Sequence, residues 1–304
     1  MEQRQGVGHG LALMTILIWG TTFIATKVLL RQFTPVEILF FRFTLGLLAL
    51  FLAKRARLCH TTKKQELTFA AAGLCGVCLY YLMENIALTY TTASNVGIIL
   101  ATVPFFTDIV RRLFFERTKE PLRPLFLLGF VVAMGGITII HLQGAALHLN
   151  PKGDFLALAA GLVWPFYSNL TKKISSFGYD LILTTRRVFC YGMLFMIPAI
   201  CLMDFHLGLE RFMDGVIVAN FLFLGFGACA LCFVTWSYAV AILGSVKTCV
   251  YLYLSPVITM ITSALVLQEP MTKGMIFGAA LTLFGLILSE WRGQKKQVTV
   301  QQKR

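Results

Sequence analysis

Charge is scarce in this chain. Asp, Glu, Lys and Arg make up 13% of its 304 residues, while 57% are hydrophobic. A soluble domain carries about twice that charged share. The apolar surplus exceeds what one buried core can hold, so it must face lipid. Acidic residues are scarcer still, 14 against 27 basic ones. The resulting charge of +13 would suggest nucleic acid in a soluble protein. Here the basic residues collect between alternate apolar runs, so no nucleic-acid partner is expected. No H-E-x-x-H or G-x-S-x-G sequence occurs, which disfavours a membrane enzyme. No G-x-x-x-x-G-K-S/T loop or soluble domain occurs, which disfavours an ATP-driven pump. His9, His60, His141, His148 and His206 all fall at run ends or in loops. The opening MEQRQGVGHG lacks the charged start and cleavage site of a secretory signal, so the first apolar run is expected to be retained.

Eight cysteines are present, seven of them within apolar runs, with Cys59 in a basic loop. That placement fits packing thiols and no disulfide framework. Cys75-x-x-Cys78 and Cys229-x-x-Cys232 each share a helix face. Their neighbours are Gly, Leu, Val and Ala, so neither a metal site nor a cofactor is expected.

A membrane span needs about 20 mostly apolar residues. Ten such stretches can be read. They run from Gly8 to Leu30, Pro35 to Ala53, Leu67 to Tyr90, Ser94 to Phe115 and Pro124 to His141. The second set runs from Gly153 to Thr171, Leu181 to Met203, Val216 to Tyr238, Ser245 to Leu267 and Gly274 to Glu290. With the N-terminus inside, 21 of the 27 basic residues fall on the inner side, among them Lys54, Arg55, Arg57, Arg117, Lys119, Arg123 and the tail. Only Arg31, Lys152, Arg211 and Lys273 are outer, while Lys27 and Arg42 lie within spans. The positive-inside bias places both termini in the cytoplasm and the inner basic groups against anionic headgroups.

The chain also repeats itself. Trp19, Lys27 and Arg42 recur as Trp164, Lys172 and Arg187, 145 residues later. Ala87 and Pro104 recur as Ala239 and Pro256, 152 residues later. Each copy holds five spans, an odd number, so the second enters the bilayer from the opposite side. The expected fold is all-α and polytopic, with ten transmembrane helices as two inverted five-helix repeats, residues 8–141 and 153–290, followed by a basic tail, 291–304. Such a pair packs inward-open or outward-open almost equally well, the basis of alternating access. Pro104 and Pro256, near the middle of the fourth and ninth spans, are expected to kink their helices. Gly274-x-x-x-Gly278 allows close helix approach.

Four charges stand at membrane depth: Arg42, Glu84, Asp108 and Arg187. Counting about 1.5 Å per residue from span ends gives matched depths for Arg42 with Glu84 and for Arg187 with Asp108. Two ion pairs are therefore expected. They either bind substrate or only lock helices together. Asp108 has a local alternative, because Arg111 and Arg112 follow at three and four residues, on the same helix face. Glu84 shares a face with Tyr80 and Tyr81, has no basic residue within a turn, and is the candidate to carry a coupling proton. Lys27 and Lys172 lie near span ends and are expected to snorkel to the headgroups. Trp19, Thr22, Phe23 and Thr26 share one face, and Trp164, Tyr167, Ser168 and Thr171 another. A Trp at mid-membrane with hydroxyl neighbours suits a cavity wall or helix packing. Tyr81, Tyr167 and Tyr251 complete the candidate substrate-binding residues. Trp291 fits an interfacial anchor.

These segments together resemble the EamA family of the drug/metabolite transporters. The resemblance rests on Trp19-Gly20, Arg42-Phe43, Ala87-Leu88-x-Tyr90-Thr91-x-Ala93-Ser94, Pro104 and Glu116-Arg117 in the first copy. In the second it rests on Gly153-Asp154-x-x-Ala157-Leu158, Trp164, Ser255-Pro256-Val257 and Gln268-Glu269-Pro270. Pro165, Asp108 and Arg111-Arg112 depart from the family's pattern. The resemblance implies ten spans, two inverted repeats and export or exchange of small metabolites across a bacterial inner membrane. The intramembrane basic excess favours a solute with a carboxylate, such as an amino acid. A passive channel or an accessory scaffold is the alternative.

Overall fold

A computed structural model describes residues 2–116, 124–143, 150–268 and 271–290. Arg117, Lys119, Arg123, His148, the Glu269-Pro270 step, Trp291 and the 291–304 tail lie outside the described residues. No strand occurs among the described residues. The helices are α1 Glu2–Leu29, α2 Pro35–Ala53, α3 Lys63–Tyr90, α4 Ala93–Glu116, α5 Pro124–Gln143, α6 Pro151–Ser175, α7 Leu181–Leu202, α8 Gly215–Leu243, α9 Ser245–Val266 and α10 Lys273–Glu290. Seven described stretches, within α1–α4 and α7–α9, are long and apolar enough to cross a membrane. Shorter apolar stretches lie in α5 and α10. In α6, Lys152, Asp154, Lys172 and Lys173 crowd the two ends, and Asn169 and Pro165 dilute the middle.

Local chemistry sets the helix starts. Thr34 and Thr62 open α2 and α3 with reciprocal capping boxes to Glu37 and Gln65. Asp180 and Asp214 open α7 and α8 by accepting first-turn N–H groups. Pro35 and Pro151 occupy first-turn positions, where a missing N–H is harmless.

Packing repeats in the two halves. At Gly46 of α2 an added Cβ would stand 2.9 Å from Cβ of Cys229, and at Gly225 of α8 it would stand 2.5 Å from Cβ of Leu45. At Gly192 of α7 it would stand 2.4 Å from Cβ of Val77, and at Gly73 of α3 it would stand 2.5 Å from the Val188 carbonyl oxygen. Thus α2 closes on α8 as α7 closes on α3, through glycines in both cases. Meanwhile α5 and α10 pack chiefly on each other.

The helix ends fix relative direction. Lys27, at the end of α1, donates to the carbonyls of Leu88 and Thr91 at the end of α3, at 2.6 and 2.7 Å. Lys172, at the end of α6, donates to the Ala241 carbonyl near the end of α8, at 3.0 Å. Asn95, at the start of α4, donates to Asp154, at the start of α6, at 2.6 Å. The end of α1 and the start of α6 therefore share one side of the molecule.

Candidate functional site

Two interrupted helices open the interior. In α4 the helix lapses at Ala101–Thr102 and resumes at Val103, with Pro104 in its first turn. In α9 the chain tightens to a 3₁₀ turn over Val250–Leu254 and resumes at Ser255, with Pro256 next. Proline lacks the N–H that would continue the ladder. Leu100, Val103, Leu252 and Ser255, all at these breaks, line a central cavity. Trp19, Thr22 and Phe23 of α1, Tyr80, Tyr81 and Glu84 of α3, and Trp164 of α6 complete its wall. The cavity is narrow in this arrangement: about 30 Å³ of it admits the centre of a water-sized sphere.

The aromatic side chains brace one another. Trp19 meets Trp164 edge-on, with centroids 5.2 Å apart and planes at 86°. Tyr80 lies 4.6 Å from Trp164, and Trp236 of α8 lies 5.1 Å from Trp19. Trp19 donates its indole N–H to the Ala228 carbonyl at 3.0 Å. Ala228 sits in a π-helical stretch, Phe223–Leu231, whose wider turn redirects backbone carbonyls. A matching π-helical stretch, Leu74–Leu79, lies in α3. The indole N–H of Trp164 is buried with no partner among the described residues.

Glu84 is 1% exposed. Tyr80 offers its hydroxyl to the carboxylate, while Oε1 has no partner among the described residues. Arg42 is fully buried. Its guanidinium lies 4.3 Å from the centroid of Tyr81, and its Nε donates to Sγ of Cys229 at 3.3 Å. Both terminal nitrogens lack hydrogen-bond partners among the described residues. The cavity wall therefore presents one carboxylate and aromatic faces, with the arginine behind Tyr81.

The EamA-like transporter family profile matches residues 6–142 and again 151–291. The chain belongs to the EamA-like transporter family. A protein from Archaeoglobus fulgidus described as an uncharacterized transporter is 28% identical over 286 residues, covering 92% of this chain and 96% of its own. A probable terminal-alkyne amino-acid exporter from Streptantibioticus cattleyicolor is 24% identical, covering 94% of this chain and 95% of its own. A crystal structure with 17% identity shares the fold at a TM-score of 0.66, covering 95% of this chain and 97% of its own. The protein is thus a multi-pass membrane protein of a transporter family.

In this EamA-like chain several expected placements differ. Arg42 and Glu84 are both buried on neighbouring helices but form no direct ion pair, because the Tyr81 ring takes the guanidinium. Arg187 and Asp108 do not meet. Asp108 bonds Arg112 at 2.8 Å and Arg111 on its own helix, and Arg187 lies 3.6 Å from Glu66. Tyr251 does not line the cavity but bonds His9 at 2.7 Å. Tyr167 stands one layer back, packed so closely on Gly76 that an added Cβ there would lie 2.2 Å from its ring. Lys27 and Lys172, near helix ends as expected, donate to backbone carbonyls there. The favoured carboxylate-bearing solute meets no basic group on the cavity wall.

Leu100, Val103, Leu252 and Ser255 line the cavity without a motif of their own in the sequence. The two prolines were the available signal, since irregular backbone at membrane depth persists where it lines a cavity. Another omission is the bidentate pair of Glu37 and Arg211, at 2.9 and 3.1 Å, between the start of α2 and the segment before α8. Among the described residues no three His, Cys, Asp or Glu side chains converge as a metal site.

Proposed function

We propose that this protein is a secondary active transporter that exports a small organic solute bearing a protonated amine, with amino acids the foremost class. Glu84 carries the proposal: a buried carboxylate among the lining of an aromatic-walled cavity, with one acceptor oxygen unpartnered among the described residues. A carboxylate satisfies an ammonium directly, and the faces of Trp and Tyr attract the same charge. Arg42 lies one ring behind, so a solute carboxylate reaches it only if Tyr81 turns. The amino-acid assignment draws support from the relative described as an amino-acid exporter.

Glu84 holds one cation at a time, either the solute's ammonium or a proton. Exclusive occupancy couples outward solute movement to inward proton movement. The cavity lies between five-helix halves that we take to be inverted repeats, residues 8–141 and 153–290. Their shared packing and the meeting of the end of α1 with the start of α6 support that arrangement. Rocking one half against the other exposes the cavity alternately to each side. The bilayer assigned is a bacterial inner membrane with both termini cytoplasmic, in keeping with the basic-residue bias.

Counterflow in proteoliposomes tests the proposal. Vesicles loaded with an unlabelled amino acid should accumulate the labelled one faster than empty vesicles. A channel or scaffold gives no such trans-stimulation, and its absence across a panel of primary amines would refute carrier function.

A further inference from the structure

A second cleft opens where the end of α2 meets the start of α7, far along the chain from the central cavity residues. It admits the centres of water-sized spheres over about 250 Å³, lined by Arg57, Arg186 and Arg187, with Phe51, Leu58 and Cys190 among its other walls. We infer that this cleft binds the phosphodiester headgroup of an anionic phospholipid.

Charge balance comes first. Arg186 is only 6% exposed, yet no carboxylate pairs with it among the described residues. Its donors go to neutral acceptors, the Lys54 carbonyl at 2.6 Å and the Ala56 carbonyl. Its guanidinium also lies 4.4 Å from the centroid of Phe51. These contacts cap the end of α2 and fix the guanidinium in place, but they leave its charge uncompensated. Two carbonyls occupy two of five N–H donors, so donors remain for an anion. Arg187 has one carbonyl partner, Leu58, at 3.1 Å. Its only carboxylate partner among the described residues is Glu66, at a loose 3.6 Å, already bonded by Thr61 and Tyr191. Arg57 is exposed and has no partner among the described residues. Of the three guanidiniums lining the cleft, only that of Arg187 has a carboxylate within 4 Å among the described residues. Arginine forks match phosphate oxygens in geometry as well as charge.

Position selects a lipid over free phosphate. The cleft sits at the boundary of two apolar spans. Leu48, Phe51 and Leu52 of α2 and Leu194 and Ile197 of α7 are between 45% and 65% exposed, which provides apolar surface for acyl chains. The opposite end of the same helix pair is built differently. There Arg211 is neutralised by the two oxygens of Glu37. A basic pocket between spans, left open at one end only, suits a headgroup from an anionic leaflet.

The test uses the full chain in detergent, with thermal unfolding as the readout. Probes are phosphatidylglycerol, phosphatidylcholine and inorganic phosphate. The variants are R57Q and R187Q, singly and together, which spare the buried Arg186. Phosphatidylglycerol should raise the midpoint, and the double variant should need about tenfold more of it for the same rise. Phosphatidylcholine and inorganic phosphate should give no comparable rise. If inorganic phosphate stabilises as well as the lipid does, the lipid assignment falls. If the double variant responds to phosphatidylglycerol like the wild type, the site itself falls.

Discussion

Arg42 lies 4.3 Å from the centre of the Tyr81 ring and makes no ion pair with Glu84, although both charges are buried on neighbouring helices. Two buried guanidinium nitrogens are left without partners among the described residues. The arrangement is poorly explained as a helix lock, since a lock would pair the charges.

Arg42→Met should therefore keep or raise the thermal midpoint in detergent. Each bare buried donor removed relieves about 1–3 kcal/mol of desolvation. A true buried pair would instead lose about 3–5 kcal/mol on removal of one partner. A midpoint that falls by several degrees would restore the lock.

Lys27→Met and Lys172→Met should destabilise unequally. Lys27 caps two carbonyls, and charge-assisted bonds of this kind are worth about 1.5–3 kcal/mol. Lys172 caps one, from a more exposed position, and should lose about 0.5–1 kcal/mol. Unchanged unfolding of both variants would return the lysines to a snorkelling role.

Glu37→Gln should lower stability by about 3 kcal/mol, because it strands Arg211 in a bidentate site. The Glu37→Gln, Arg211→Gln double variant should lose less than the two single losses combined, as expected for residues in direct contact. Strict additivity in that cycle would contradict the pairing.

Much of the helical architecture is legible in the sequence because hydropathy reports directly on lipid. Site residues are only partly legible, for identifiable reasons. Depth counting gives height in the membrane but not direction around a helix. Asp108 therefore matches Arg187 in height, whereas its three- and four-residue spacing to Arg111 and Arg112, the local alternative, names the partners it has. Tyr251 lies in a 3₁₀ turn, where each residue advances about 120° rather than 100°, so α-helical spacing does not give its direction. Trp19, Trp164, Tyr81 and Glu84 came out on the cavity because α-helical spacing holds around them. No one-dimensional signal shows that the Arg42 guanidinium lies over the Tyr81 ring.

Asp180, at the start of α7, brings a pH dependence. Burial works to raise its pKa, but the Lys54 ammonium at 2.7 Å and the N–H groups of Leu183 and Ile182 outweigh it. The carboxyl is held below its ordinary value of 3.8. The carboxylate therefore stabilises the fold in full above that value, and the contribution disappears as pH falls through the lowered pKa. Asp180→Asn should be less stable near neutrality and should lose less on acidification below 3.8. Parallel pH profiles for wild type and variant would show that Lys54 does not hold this charge.

Glu84 offers the most direct test of the transport proposal. Glu84→Gln keeps the size of the side chain and removes its charge. Purified wild type and variant would be reconstituted with matched thermal midpoints, and counterflow of a labelled primary amine followed together with internal pH. Exchange coupled to proton movement is expected in the wild type, with loss of both in Glu84→Gln. Counterflow by the variant at the wild-type rate, with the same proton movement, would contradict the role assigned to Glu84.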